Sequence, residues 1–116
     1  MECIPGSHRC LFVYGTLMDD ALVSELTGRR FPKEPAVLPG YRKVVPDCGY
    51  PYVVPDANGV VEGFVLFDVD EEALRIFDGY EDEGRLYRRV GVVVTVAGHA
   101  CGSMAYLGHT DALNVS

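Results

Sequence analysis

The sequence predicts an α+β domain in which a curled sheet or small barrel carries two helices. Three observations point there: a length of 116 residues, the element order β, α, several β, α and a final β-hairpin, and the lack of any repeated βαβ unit. A chain of this size buries roughly two-thirds of its unfolded surface, so a core forms without staples. With 48% hydrophobic and 23% charged residues the composition is too apolar for disorder, and no apolar run is long enough to span a bilayer.

The first strand is read at Arg9 to Tyr14, aromatic and β-branched, and closes in a tight turn at Gly15. Asp19-Asp20, the apolar Ala21, Leu22, Val23 and Leu26, and a terminal Gly28 then give a capped amphipathic helix. From Phe31 to Asn58 prolines and glycines are so frequent that only short extended pieces are expected, at Tyr41 to Val45 and Tyr52 to Val54. Asn58-Gly59 reads as a turn, followed by a long strand from Val60 to Val69 in which Gly63 marks a bulge or a close backbone approach. Asp70-Glu71-Glu72 opens a second helix, buried through Ala73, Leu74, Ile76 and Phe77, which Gly79 ends or loosens. Strands from Leu86 to Val96 and Ala100 to Leu107, with a turn at Ala97-Gly98-His99, form the hairpin. The expected organisation is one domain over residues 9–108, with tails at 1–8 and 109–116.

The net charge is −7, from 10 basic and 17 acidic residues, and no basic stripe is available for a nucleic-acid backbone. Cys3, Cys10, Cys48 and Cys101 are scattered without a C-x-x-C pair, which reads as reduced thiols in a cytoplasmic setting. The first residues have neither a basic nor an apolar region, so no signal peptide is read there. His8, His99 and His109 lack metal-ligand spacing, and no phosphate-loop or dinucleotide motif is present, so neither metal nor cofactor is expected. Cys48 with one of these histidines could form a thiol nucleophile, but it has no local signature.

Three segments could carry chemistry. Tyr14-Gly15-Thr16-Leu17 joins a strand to a helix, where successive backbone N–H groups can form a nest for a carboxylate; the plainer reading is a tight turn that needs glycine. Glu81 follows Phe77-Asp78-Gly79-Tyr80 and, in a partly apolar mouth, would serve as a general base; the plainer reading is a solvated acidic surface. In Leu86-Tyr87-Arg88-Arg89 strand alternation puts Tyr87 and Arg89 on one face and Arg88 on the other, so Tyr87 is either a ligand contact or a core tyrosine.

In order and spacing, Tyr14-Gly15-Thr16-Leu17, Gly49-Tyr50-Pro51, Phe77-Asp78-Gly79-Tyr80-Glu81 and Tyr87-Arg88 resemble the γ-glutamylcyclotransferase-like, or AIG2-like, family. The likeness runs from about Leu11 to Leu107 and takes in Leu38-Pro39-Gly40-Tyr41-Arg42 and Val61-Glu62-Gly63. It implies a small mixed β-barrel with helices packed on it and a cavity for a γ-glutamyl group. It further implies that Tyr14, Gly15, Thr16 and Leu17 hold the substrate's α-carboxylate through main-chain N–H groups, with Tyr50, Pro51 and Tyr87 also at the site and Glu81 as the catalytic acid/base. Many relatives have glycine after that glutamate where this chain has Asp82, one of the few residues that tolerate a positive φ.

The implied activity is release of an amine from a small-molecule γ-glutamyl amide as 5-oxoproline forms. Nucleophile and electrophile then belong to one molecule, so a single base and an anion cradle suffice without a cofactor. The alternative is a non-catalytic module on the same fold that binds a small carboxylate or a partner.

Overall fold

Alternation in the first strand sets the architecture, because its neighbouring side chains enter two different cores. The computed structural model describes residues 9–45, 47, 52–81 and 87–108. In β1 (Arg9–Val13), Cys10 and Phe12 face one apolar cluster and Leu11 and Val13 the other. The remaining strands are β2 (Lys33–Val44), β3 (Tyr52–Val69), β4 (Tyr87–Val96) and β5 (His99–Gly108). They close into a barrel in the order β1-β3-β2-β4-β5, with β1 and β5 parallel and the other neighbours antiparallel. One core fills the barrel, around Phe12, Leu38, Val65, Phe67 and Val94. The other lies between its outer face and two helices, α1 (Asp20–Thr27) and α2 (Glu71–Glu81), around Leu11, Leu66, Leu74 and Phe77.

The helix ends follow local chemistry. The Asp19 carboxylate accepts the Ala21 N–H at 2.9 Å, and Gly28, at φ 76°, ends α1 in the left-handed conformation that glycine adopts at little cost. Asp70 caps α2 by accepting the Ala73 N–H at 3.0 Å. In the β4–β5 turn both Ala97 (φ 51°) and Gly98 (φ 82°) have positive φ, the conformation that suits a two-residue hairpin.

Four local expectations need correction. The proline-rich stretch does not break into short pieces; it forms the 12-residue strand β2 with Pro35 and Pro39 inside it. Its β3 edge is paired on both sides of Gly40, but its β4 edge is joined at the single register pair Val37↔Thr95, and proline is tolerated where an edge makes no continuous ladder. Asn58-Gly59 does not divide two strands either. β3 is continuous over 18 residues, and the register step from Pro39↔Val60 to Tyr41↔Pro55 leaves residues 56–59 as an excursion opposite Gly40. There the Asp56 carboxylate accepts the Asn58 N–H at 3.0 Å, so the turn signal produces a bulge.

Thirdly, α2 runs through Gly79, so Glu81 is its last residue and not part of a connecting loop. Finally, Cys10 on β1 and Cys101 on β5 are each disulfide-bonded, where scattered spacing suggested reduced thiols. The expectation for Gly63 holds as a close approach, since a Cβ there would collide with the Val13 carbonyl oxygen and the Phe12 ring. β3 thereby presses on β1 one residue before the loop that begins at Tyr14.

Candidate functional site

Residues 14–17 leave the end of β1 and enter one turn of 3-10 helix, Thr16–Met18. The Met18 N–H donates to the Gly15 carbonyl at 3.0 Å and the Asp19 N–H to the Thr16 carbonyl at 3.1 Å. The N–H groups that open such a turn have no acceptor within it, which leaves them for a ligand or solvent. Leu17 anchors the loop, buried in the helix-facing core, while the Thr16 side chain is exposed.

The side chain of Tyr14 serves a different end from its backbone. Its ring is buried in the barrel and stacks on Phe12 with centroids 6.2 Å apart, and its hydroxyl donates to the Tyr106 carbonyl. What Tyr14 offers at the loop is therefore its peptide group, whose carbonyl accepts the Lys43 ammonium at 2.8 Å.

The second half of the site is the end of α2. Asp78 lies one helical turn before Glu81 and is held by β4 and β5: its carboxylate accepts Arg89 Nε at 2.9 Å, Arg89 Nη2 at 3.1 Å and the Tyr106 hydroxyl at 2.6 Å. The forked guanidinium contact fixes direction as well as distance. Tyr80 and Thr16 share a hydrogen bond of 2.8 Å between their hydroxyls, so the loop meets α2 at the residue preceding Glu81. At the other end of the helix, the Ala73 N–H and then the Arg29 guanidinium, 2.5 Å away, hold the Asp70 carboxyl below its ordinary range.

Of the residues singled out in the sequence, Tyr14, Gly15, Thr16 and Leu17 form this loop, and the backbone of Glu81 ends the helix it touches. Tyr87 is buried in the helix-facing core with Tyr106, Leu11 and Phe77, on the same face as Arg89. Tyr50, Pro51, Cys48 and Asp82 lie outside the described residues. Sequence reasoning missed Lys43, Tyr80, Arg89 and Tyr106 as parts of the site. Only Arg89 had a usable signal, its shared face with Tyr87; the others depend on pairings 29, 64 and 28 residues apart in the chain.

Comparisons with known proteins place the chain by family and by fold. The family described as gamma-glutamyl cyclotransferase, AIG2-like, matches residues 11–115. Protein AIG2 C of Arabidopsis thaliana is 36% identical over 91 residues, covering 78% of this chain and 53% of the relative. The chain spans about half the length of the curated relatives it matches. A solution structure of an Arabidopsis thaliana protein superposes with a TM-score of 0.78 at 31% identity, covering 93% of this chain and 66% of the other. The crystal structure of an AIG2-like protein from Mus musculus has the same fold, with a TM-score of 0.75 at 22% identity over 90% of this chain and 80% of that one. The match over most of the chain and the 36% identity to an AIG2 protein show that the chain belongs to the AIG2-like gamma-glutamyl cyclotransferase family.

Proposed function

We propose that this protein is a γ-glutamyl cyclotransferase that releases an amine or amino acid from a γ-glutamyl amide and forms 5-oxoproline. The observation that carries the proposal is the Thr16–Tyr80 hydrogen bond of 2.8 Å, which joins the loop expected to hold the substrate to the helix end that bears Glu81. The family match over residues 11–115 supports the same reading.

In the proposed reaction the α-carboxylate of the γ-glutamyl group rests on the N–H groups of Gly15 to Leu17. The α-nitrogen attacks its own γ-carbonyl carbon, a C–N bond closes a five-membered ring, and the C–N bond to the departing amine breaks. A free α-ammonium has a pKa of about 7.7–8.0, so a base must remove a proton before attack, and the same group can return it to the leaving nitrogen. Glu81 is assigned both tasks. The protein mainly restricts the substrate to its cyclising rotamer, for which effective molarities on the order of 10⁵ M have precedent.

The test is 5-oxoproline release across a panel of γ-glutamyl amines, including amino acids and the lysine ε-amine. Glu81→Gln is expected to lower the rate by about 10²–10⁴ with the fold intact by circular dichroism. Wild-type turnover by that variant would remove Glu81 from the mechanism. Ligands that raise the melting temperature without any 5-oxoproline release would favour the non-catalytic carboxylate-binding module instead. Inactivation by thiol alkylation would point to Cys48.

A further inference from the structure

Lys43 differs from the carboxylate-paired cations of this acidic chain in serving a backbone carbonyl. Arg29, Lys33, Arg42 and Arg89 are each paired with a carboxylate, of Asp70, Asp20, Asp56 and Asp78 respectively. Among the described residues Lys43 makes no ion pair; its ammonium donates to the Tyr14 carbonyl oxygen at 2.8 Å. The bulge at Gly40, where φ is 87°, resets the alternation of β2, so that Tyr41 packs against the barrel core and Lys43, two residues on, takes the same face.

The carbonyl that Lys43 holds belongs to the Tyr14–Gly15 peptide. Tyr14 is already fixed at its far end, where the hydroxyl donates to the Tyr106 carbonyl inside the barrel. With both ends of the residue anchored, this peptide plane has one orientation. The peptide is trans, so the Gly15 N–H points opposite to the carbonyl and away from Lys43. A cation on a peptide oxygen also polarises the amide and makes its N–H a stronger donor.

We propose that Lys43 is a positioning residue for the anion cradle: it orients and polarises the Tyr14–Gly15 peptide so that the Gly15 N–H binds the substrate's α-carboxylate. The proposal rests on the function given above, which places that carboxylate at Gly15 to Leu17. It also supplies a local positive charge for an anionic ligand on a protein of net charge −7.

Lys43→Met, Lys43→Gln and Lys43→Arg test it, with two readouts besides turnover: calorimetric binding of 5-oxoproline, and the Gly15 amide resonance in ¹⁵N–¹H spectra. Lys43→Met is expected to raise both the KM for the most active panel substrate and the Kd for 5-oxoproline about tenfold, the scale of one charge-assisted hydrogen bond. kcat should stay within about threefold, the Gly15 nitrogen resonance should move upfield, and Lys43→Arg should restore both constants. Should Lys43→Met fail to fold, Lys43→Gln carries the same comparison with a neutral donor. Unchanged KM, Kd and Gly15 resonance would overturn the proposal, and so would a fall in kcat with KM unaltered. Wild-type protein that binds 5-oxoproline without turnover defeats the cyclotransferase reading alone, because the binding and resonance arms still judge Lys43. Wild-type protein that does neither defeats both.

Discussion

The two cores of this protein treat their polar groups differently. Inside the barrel hydroxyls end on backbone carbonyls: Tyr14 on that of Tyr106, and Ser103 on that of Met104 at 3.1 Å. In the helix-facing core the Tyr106 hydroxyl instead crosses to Asp78, one turn before Glu81, and Arg89 meets the same carboxylate. The interior therefore closes on itself and supplies cohesion, whereas the outer layer transmits the position of β4 and β5 to the end of α2. Tyr106 belongs to both networks, since its carbonyl steadies the loop residue Tyr14 and its hydroxyl steadies the helix.

This contrast predicts that interior and outer-layer substitutions separate stability from activity. The largest stability loss is expected for Phe12→Ala, which empties a fully buried interior position; urea unfolding should show a cost of about 3–5 kcal/mol. Activity of its remaining folded fraction should stay within a few-fold of wild type, and a selective loss of kcat would break the contrast. Asp78→Asn, which weakens a contact whose two side chains are less than a quarter exposed, should cost about 2 kcal/mol. Unlike Phe12→Ala, it should also lower 5-oxoproline release beyond what its unfolded fraction explains.

Tyr106→Phe isolates a single arm of that network, because the carbonyl bond to Tyr14 survives and the hydroxyl bond to Asp78 does not. A cost of about 1 kcal/mol is expected, again with activity falling more than stability, and unaltered kcat and KM would show that α2 is positioned without Tyr106. Asp70→Asn should give the smallest change and a distinct pH signature. Because the Ala73 N–H and Arg29 lower the folded-state pKa of Asp70 from its ordinary 3.8, the stabilisation is present above that value and is lost as pH falls toward the folded pKa. The melting-temperature gap between wild type and variant should therefore be open at neutral pH and close below about pH 4; a gap constant with pH would assign the effect to packing.

Legibility in the sequence followed the range of the interactions. Asp19, Gly28 and Asp70 announced their helix ends because a cap bonds within two to four residues. The shared face of Tyr87 and Arg89 was readable from strand alternation, although what Arg89 meets on α2 was not. Asn58-Gly59 and the prolines of β2 misled for the same reason. Local turn chemistry was read correctly, but strand pairing absorbed it as a bulge and as a sparsely joined edge.

The sequence by itself determined the α+β class, the helix caps, the alternation that divides apolar side chains between two cores, and the motif order that identifies the family. Those properties are written in spacings of one to four residues, or in short strings with a fixed order. Only the tertiary structure decided that the loop after β1 touches α2 beside Glu81, that Lys43 reaches the Tyr14 carbonyl, and that Tyr106 supports both halves of the site. These contacts join residues 28 to 92 positions apart, and barrel closure, not any local preference of the chain, brings them within hydrogen-bonding distance.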